Sequence, residues 1–357
     1  MVSFGAMAKM KTTRIGNRVI GAEHPVFVIA EAGVNHNGKV NLAKKLIDTA
    51  KKIGADAVKF QVFKAEAIVT KTAEKAAHQK RGARDESQYE MLKKLELTED
   101  EFKQLAAHAK RRNIVFLASA YDKESVDLLD ELNVPAFKVP SAEITNLPLL
   151  KHIARKGKPV IISTGMSNLG EIKEALEAIK DEGVKDIILL HCVSNYPVKV
   201  EEVNLRAMKT LTQTFGLPVG FSDHTLGITV PIAAVVLGAA VIEKHFTLDR
   251  TLPGPDHMAS LEPAEFRQMV NAIRGVEKAL GDGIKRQTRS EDEVKKALRK
   301  SVVAKVEIPR GTTITEKMLD VKRPGTGMSP RDINKIIGRK AKKRIKPDEL
   351  ITFQKLM

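Results

Sequence analysis

VGFSDHTLGITVPIAAVVLGAAVIEKHF, residues 219–246, holds two short apolar runs separated by an apolar segment of helical length. The first run ends in Ser222-Asp223-His224 and the second in Glu243-Lys244-His245. This pattern predicts a strand, a helix and a second strand, with an imidazole at the carboxyl end of each strand. Parallel neighbouring strands would place both rings at one edge of the sheet, where they could hold one metal ion. The alternative interpretation is two unrelated histidines, one in a helix cap and one in a loop.

The same alternation of a β-type run and an amphipathic helical segment extends upstream to Val26. Eight strands are predicted, at Val26–Ala30, Ala57–Val62, Ile114–Ala118, Ala136–Val139, Val160–Ser163, Ile187–His191, Val219–Ser222 and Val241–Glu243. Helices are predicted at Asn41–Ile53, Glu99–Arg112, Lys123–Leu132, Leu147–Lys156, Leu169–Glu182, Val203–Phe215 and Glu262–Leu280. Eight such units are typical of an α/β protein with a (β/α)8 TIM barrel, which we expect to span residues 15–281. A doubly wound open sheet is the alternative, but no GxGxxG follows the first strand and no GxxxxGK[ST] occurs.

The C-terminal part of the chain has a different character. Residues 282–300 are charged and poor in apolar side chains, which predicts a linker with a short helix at Glu291–Arg299. Residues 301–357 begin with the strand-like SVVAKVEI and continue through short segments separated by turn signals. They predict a small β-rich domain. A unit of this size buries little core, so we expect it to lean on another surface.

Composition narrows the class of protein. The 357 residues are 43% hydrophobic without any Trp, so the core must be mainly aliphatic, which suits parallel strands covered by helices. No apolar run approaches the roughly 20 residues that span a bilayer, and no charged-then-apolar leader is present. The single Cys192 excludes an intrachain disulfide and fits a reducing compartment. We therefore expect a cytoplasmic protein without a membrane partner, and leave residues 1–10 out of the fold prediction.

The net charge of +16 is concentrated in the tail. Gly281–Met357 contains 21 Lys and Arg against 10 Asp and Glu, which accounts for +11 of the total. A basic tail can bind nucleic acid or an anionic substrate, or it can be a solvated surface. Because Phe353 is its only aromatic residue, it has no platform for stacking bases, and we predict no nucleic-acid partner.

Polar side chains dominate the carboxyl ends of the predicted strands, where a TIM barrel places its active site. Lys59 in AVKFQV and Lys138 in AFKVP are the most informative. Burying the charge of a lysine inside an apolar strand costs free energy unless an anion or a carboxylate pairs with it. With nearby Ser and Thr hydroxyls the two lysines predict a cradle for phosphate and carboxylate groups. A Schiff-base lysine and a lysine that reaches solvent are the alternatives. A long polar insertion, Phe63–Leu97, follows the second strand and predicts a lid or a subunit contact.

Ordered motifs run through almost the whole chain after residue 14. They are IAEAGVNHNG, AVKFQ, QYEMLKKLEL, FLASAYD, FKVPSAEI, ISTGM, LHCVSNYP, GFSDHTLGI, VIEKHFTLDR, GPDHMASLEP and, in the tail, VKRPGTG. In these motifs the chain resembles the N-acetylneuraminate (sialic acid) synthase family, which has a TIM barrel followed by a C-terminal antifreeze-like, or SAF, domain. The resemblance implies condensation of phosphoenolpyruvate with the open aldehyde form of an N-acyl amino-sugar, giving a nine-carbon 2-keto acid and phosphate.

The resemblance also implies roles for individual residues. His224 and His245 would bind a divalent metal, Mn2+ or Mg2+. Phosphoenolpyruvate would be held by Lys59, Ser119, Lys138, Ser141, Ser163 and Ser222. The sugar would be contacted by Gln61, Glu143, Tyr196 and Asp256 and, in a domain-swapped homodimer, by Arg323 of the partner subunit. The catalytic residues would be Glu31, Lys59, Lys138 and Glu143, with one of the two glutamates activating water.

Two segments depart from the family's common pattern. The chain has Ala118-Ser119-Ala120 where Ser-Thr-Pro is frequent, and VPSAE at residues 139–143 where a Gly-Ser-Gly arrangement is common. These segments touch substrate, so they bear on the choice of sugar. The leading prediction is N-acetylmannosamine, giving N-acetylneuraminate. The alternatives are a legionaminate-type synthase that uses a 2,4-diacetamido-dideoxy-mannose, and a synthase that uses a 6-phosphorylated sugar. A lyase that forms a Schiff base and a carbohydrate- or nucleic-acid-binding protein are the other classes considered.

Overall fold

A computed structural model describes residues 11–21, 23–75 and 86–357. The chain forms two compact units, Met1–Gly281 and Asp282–Met357. The first unit is a closed barrel of eight parallel strands surrounded by helices, which confirms the TIM-barrel prediction and excludes the open sheet. Within the described ranges, no helix is both long and apolar enough to cross a membrane.

The barrel strands follow one another around the barrel in chain order. They are β3 (Phe27–Gly33), β4 (Ala57–Val62), β5 (Val115–Ala120), β6 (Phe137–Val139), β7 (Val160–Ser163), β8 (Ile187–His191), β9 (Val219–Asp223) and β10 (Val241–His245). β10 pairs with β3 and closes the barrel. The predicted bounds differ most at β3, which runs three residues past its predicted end at Ala30.

Helices alternate with the strands as predicted, and two further helices, which were not predicted, lie in the insertion Phe63–Leu97. The helices are α1 (Val40–Lys52), α2 (Ala65–Ile68), α3 (Gln88–Leu95), α4 (Glu99–Arg111), α5 (Lys123–Glu131), α6 (Leu147–Ala154), α7 (Leu169–Asp181), α8 (Ala207–Phe215), α9 (Thr229–Val236) and α10 (Pro263–Leu280). The prediction for α8 was wrong at its start, which is Ala207 and not Val203. The reason is local, because Asn204 adopts a left-handed φ of 49° that cannot continue a helix. In the insertion Phe63–Leu97, the segment His78–Arg81 lies outside the described residues.

Side chains that point into the barrel form two layers. The lower layer is apolar and includes Phe27, Ile29, Leu117, Ile161, Ile188 and Val241. A hairpin that was not predicted, β1 (Thr13–Ile15) paired with β2 (Arg18–Ile20), adds Ile15 and Ile20 to this cluster. Both isoleucines are fully buried, so the hairpin closes the amino-terminal end of the barrel. The polar strand termini lie at the opposite end of the barrel.

The second unit has its own small core. The short strands β11 (Ser301–Ala304) and β12 (Leu319–Lys322) pair antiparallel. Buried aliphatic side chains, among them Val302, Ile308, Ile314, Ile345 and Ile351, pack behind them. A helix, α11 (Glu291–Leu298), occupies the segment predicted to be a linker with a short helix, and its residues are exposed. This unit occupies the part of the chain where a small β-rich domain was predicted.

Candidate active site

The upper layer of the barrel contains a group of buried charges centred on Lys59 of β4. Its ammonium nitrogen lies 3.0 Å from Glu31 Oε2 and 3.6 Å from Glu243 Oε2, and donates to Ser119 Oγ at 3.0 Å. Glu31 on β3 and Lys59 are register partners, and Glu243 comes from β10 on the other side of β3. These four side chains are all buried. The alternation of side chains along parallel strands brings them to one level of the barrel.

Lys138 of β6 faces the same carboxylate from the opposite side. Its ammonium nitrogen lies 3.6 Å from Glu243 Oε1 and donates to Ser163 Oγ at 2.7 Å. Ser222 of β9 donates to the same Glu243 oxygen at 3.0 Å. Glu243 therefore joins both lysines. Two ammonium groups and three hydroxyls therefore lie close to one carboxylate. An anion could bind here, because these groups can donate charge-assisted hydrogen bonds to it.

Burial and charge pairing act against each other in this cluster. Burial, with a contribution from Glu243, raises the pKa of Glu31 to about 7, although Lys59 opposes the shift. Burial would lower the pKa of Lys59, but Glu243 and Glu31 outweigh it and the pKa is raised, so Lys59 is an ammonium and not a free amine nucleophile. For Lys138 burial prevails over Glu243 and the pKa is lowered. The site therefore contains Lys59 with a raised pKa, Lys138 with a lowered pKa, and the Glu31 carboxyl group, whose pKa is about 7.

A second group of polar atoms adjoins Lys138. The backbone N–H of Gly165 donates to Ser141 Oγ at 3.0 Å, and Cys192 Sγ lies 3.2 Å from the same oxygen. A Cβ added at Gly165 would lie 2.3 Å from Ser194 Oγ and 2.8 Å from Ser141 Oγ, so the close packing here requires glycine. Burial raises the pKa of the Cys192 thiol, which makes it a packing residue and not a thiolate nucleophile.

The two histidines of residues 219–246 lie side by side, as predicted. The ring centroids of His224 and His245 are 5.7 Å apart, and the ring of Tyr196 lies 4.1 Å from that of His224. His224 Nδ1 donates to the carbonyl oxygen of Val193 at 2.7 Å, which fixes the tautomer and leaves Nε2 as the acceptor. Burial lowers the pKa of His224 to about 4, so the imidazole is neutral. A neutral, oriented imidazole is the form that ligates a metal.

These residues fit a divalent metal with two protein ligands and open positions. Among the residues that the structure describes, no group of three or more His, Cys, Asp and Glu side chains is arranged to hold a metal. Asp256 Oδ2 lies 3.8 Å from His245 Nδ1, too far for a direct hydrogen bond. A metal here would take its remaining ligands from water and substrate, which is the arrangement of a catalytic site.

The residues predicted to contact the sugar lie in different places. Gln61 Nε2 donates to Glu31 Oε1 over a long 3.4 Å, and burial raises the pKa of the Asp256 carboxyl to about 6. Glu143 lies farther out, partly exposed in the 3-10 turn Ser141–Glu143, and accepts from Asn146 Nδ2 at 2.7 Å. Arg323 is exposed on the second unit, so its contact with a sugar remains a prediction.

Two site residues were not assigned a role from the sequence. Glu243 is the middle residue of β10 and points inward two residues before His245, so the alternation of the strand could have identified it. Tyr121 follows β5 by one residue, and its ring lies edge-on to Phe63 at 6.2 Å. It gave no signal in the sequence, because a single aromatic residue after a strand is most often part of a core.

A buried ion pair on the outer face of the barrel supports the histidines. Lys244 Nζ lies 2.5 Å from Asp223 Oδ2 and 2.6 Å from the Thr225 carbonyl oxygen, and both charged side chains are fully buried. Asp223 Oδ1 also accepts from the backbone N–H of Thr225 at 2.9 Å. Asp223 and Lys244 directly precede His224 and His245 in sequence. The Asp223–Lys244 pair therefore links the ends of β9 and β10 on the side of the strands that faces away from the site.

Comparisons with known proteins agree with this geometry. A model of the NeuB family matches residues 46–285, and a model of the SAF domain matches residues 299–357. The chain is 53% identical to the N,N'-diacetyllegionaminic acid synthase of Campylobacter jejuni, over 91% of this chain and 98% of that protein. It is 40% identical to the human N-acetylneuraminate-9-phosphate synthase, over 94% and 93% of the two chains. A crystal structure of N-acetylneuraminic acid synthetase from Leptospira borgpetersenii superposes with a TM-score of 0.71 at 37% identity, covering 80% of this chain and 95% of that one.

Lys244→Met tests the buried pair. The change leaves the Asp223 carboxylate without its cation, so we expect the free energy of unfolding in urea to fall by about 3–5 kcal/mol. The double variant Asp223→Asn/Lys244→Met should recover most of this loss, because it removes both charges. Lys173→Met is the matched control, since Lys173 forms only an exposed pair with Glu177 and should change stability by less than about 1 kcal/mol. A double variant as unstable as the single one would show that packing, and not charge, sets the cost.

Proposed function

Because this chain belongs to the NeuB family of phosphoenolpyruvate-dependent sugar synthases, we propose that it condenses phosphoenolpyruvate with the open-chain aldehyde of an N-acylated 2-amino-hexose. The products are a nine-carbon 2-keto acid and inorganic phosphate. The observation that carries the proposal is the placement of an anion site, built on Lys59 and Lys138, next to a pair of neutral histidines. One half suits the phosphate and carboxylate groups of phosphoenolpyruvate, and the other suits a carbonyl oxygen.

The anion site holds phosphoenolpyruvate. Lys59 and Lys138 compensate its negative charge, and the hydroxyls of Ser119, Ser163 and Ser222 already point at these groups or at Glu243. Ser141 and the N–H of Gly165 add hydrogen-bonding groups beside Lys138. When the substrate anion replaces part of the pairing to Glu243 and Glu31, the lysines keep their charge, and the barrel interior excludes water from their contacts.

The histidine pair serves the aldehyde. His224 and His245 would hold a divalent metal, Mn2+ or Mg2+, which supplies Lewis-acid polarisation of the aldehyde oxygen when bound. Asp256, with its raised pKa of about 6, lies beside His245 and can hold a proton for the oxygen that becomes a hydroxyl. Tyr196 packs against both rings and keeps the acceptor's carbonyl end oriented.

The reaction then proceeds in three bond changes. The methylene carbon of phosphoenolpyruvate attacks the aldehyde carbon, and the new alkoxide takes a proton. The phosphate-bearing carbon becomes electron-poor and is attacked by water, one proton of which passes to Glu31. The adduct then collapses: its hydroxyl proton passes to the departing phosphate, the bond between carbon and the phosphate oxygen breaks, and the 2-keto group remains. Glu31 fits the role of base better than Glu143, because it lies at the lysine cluster and titrates near pH 7.

The relatives favour one acceptor without deciding it. Identity is 53% to a protein named N,N'-diacetyllegionaminic acid synthase and 40% to one named N-acetylneuraminate-9-phosphate synthase. These figures support a 2,4-diacetamido-2,4,6-trideoxymannose as acceptor over N-acetylmannosamine, the leading prediction from the sequence. N-acetylmannosamine and its 6-phosphate remain the competing acceptors.

The exposed apolar side chains around the barrel mouth support a homodimer. Met166, Leu169, Val200 and Met258 are each at least 44% exposed and lie on loops that follow three different strands. Such side chains around an active site are suited to a covering surface. In the domain-swapped homodimer, Arg323 of the partner subunit would reach the N-acyl group of the sugar.

Phosphate release across an acceptor panel tests the reaction. With phosphoenolpyruvate and Mn2+, wild-type protein should release phosphate only when an N-acyl amino-hexose is added. His224→Ala should reduce turnover at least about a hundredfold by removing a metal ligand, and should weaken Mn2+ binding in calorimetry. His152→Ala is the matched control, because His152 pairs with Asp127 on the helical surface. Full turnover in EDTA, or a pyruvate adduct trapped by borohydride, would contradict the metal-assisted route.

The raised pKa of Glu31 predicts a pH dependence. Below pH 7 its carboxyl group is protonated and cannot accept a proton from water, so kcat/KM for phosphoenolpyruvate should rise with pH through about 7. Glu31→Gln should remove this limb and lower kcat/KM by about 10²–10⁴-fold. Glu143→Gln should keep the limb. A limb that persists in Glu31→Gln would assign the titration to another group.

Complementation between inactive variants tests the swapped dimer. Arg323→Ala should raise KM for the sugar more than KM for phosphoenolpyruvate. Mixed with His224→Ala and allowed to exchange subunits, it should recover up to about a quarter of wild-type activity, because a mixed dimer contains one intact site. Absence of recovery, with subunit exchange verified by mass, would place Arg323 and His224 of the same chain in one site.

A further inference from the structure

Tyr121 is a site residue that the reaction described above does not use. Its position is fixed by the sheet, because β4 and β5 pair Val62 with Ala120, and Phe63 and Tyr121 come next. The two rings stand perpendicular with centroids 6.2 Å apart. The Lys64 backbone N–H donates to Asp122 Oδ2 at 3.2 Å and ties the two loops together.

The ring of Tyr121 belongs to a small apolar cluster at the barrel mouth. The cluster is formed by Val34, Phe63, Met91 and Leu95, with Tyr121 packed against it. The phenolic oxygen makes no hydrogen bond to any other residue of the described part of the chain. A partly buried tyrosine hydroxyl normally has a partner. Burial raises the pKa of Tyr121 well above its usual value, helped by the charges of Glu31, Asp256, Glu143 and Glu243, so the hydroxyl remains a donor.

Glu143 offers the complementary group on the neighbouring loop. It follows β6, which pairs with β5 through Lys138 and Ser119. One of its oxygens, Oε2, accepts from Asn146, and the other makes no hydrogen bond within the described residues. An unused donor and an unused acceptor therefore stand on adjacent loops, beside an apolar wall that includes Phe63.

The order of strands places this pair across the barrel from the histidines. In the closed ring, β5 and β6 lie diametrically opposite β9 and β10, which carry His224 and His245. An acceptor whose aldehyde end lies at the histidines extends across the mouth and presents its far carbons to Tyr121 and Glu143.

We propose, on the basis of the function proposed above, that Tyr121 and Glu143 select an acceptor that carries an acetamido group at carbon 4. The amide carbonyl accepts from the Tyr121 hydroxyl, the amide N–H donates to the Glu143 carboxylate, and the methyl group packs on the apolar wall at Phe63. An amide joins the two groups because its N–H and C=O point in opposite directions. A 4-hydroxyl group has no methyl group to cover the apolar wall. Its single oxygen would also have to bond to both Tyr121 and Glu143.

Two acceptors that differ only at carbon 4 test this inference. They are 2,4-diacetamido-2,4,6-trideoxymannose and 2-acetamido-2,6-dideoxymannose, compared by phosphate release under saturating phosphoenolpyruvate. Wild-type protein should have at least about tenfold higher kcat/KM with the diacetamido sugar, because the analogue leaves Tyr121 and Glu143 without a hydrogen-bond partner and the apolar wall uncovered. Tyr121→Phe should reduce this preference about tenfold or more through KM, and change the 4-hydroxy acceptor less than about threefold. Glu143→Leu should reduce the same preference.

Tyr89→Phe is the matched control, because Tyr89 lies on α3 outside the pair and its loss should leave the preference unchanged. An unchanged preference in Tyr121→Phe, or an equal loss with both acceptors, would overturn the inference. Phosphate release by the wild type with N-acetylmannosamine or its 6-phosphate, but not with the diacetamido sugar, would overturn it while leaving the proposed reaction intact. Failure of every amino-sugar to release phosphate would overturn both.

Discussion

Two lysines in the interior of a barrel require compensating charge, and the arrangement of the site follows from that requirement. An uncompensated buried ammonium costs several kcal/mol, so Lys59 and Lys138 are stable only where carboxylates face them. Glu243 lies between both, and Glu31 lies at 3.0 Å from Lys59. The same compensation makes the site ready for an anionic substrate. A phosphate or carboxylate group that enters takes over contacts that the protein has already arranged, and little reorganisation is needed.

The barrel makes this cluster possible by separating its two ends. Alternate residues of eight strands fill the lower interior with aliphatic side chains and the upper interior with charged and hydroxyl groups. The hairpin containing Ile15 and Ile20 covers the lower end, opposite the site. On the outer face of the same strands, Lys244 and Asp223 fix the segment that carries the histidines. The site therefore rests on the apolar lower layer, and the Lys244–Asp223 pair holds its histidine strands on the outer face of the barrel.

Much of this arrangement could be predicted from residue patterns. The eight apolar runs and their spacing indicated the barrel, and lysines inside apolar strands indicated an anion site. The pair His224 and His245 was predicted from its position after two neighbouring strands, and the rings are 5.7 Å apart. The pattern was less informative for the N-terminal hairpin, whose three-residue strands are too short for a periodicity to be recognised. It also misplaced the start of α8, because propensity does not reveal that Asn204 is left-handed.

Sequence alone determined the fold class, the strands and the chemical types of residue at their ends, because these follow from local periodicity and from the direction of parallel strands. Tertiary structure decided which of those residues meet. Glu243 acquired its role only when closure of the barrel brought β10 beside β3 and within reach of two lysines on other strands. Tyr121 likewise came to lie at the barrel mouth only because its ring packs against a cluster from three separate segments. Contacts between residues distant in sequence depend on closure and packing, which no local pattern encodes.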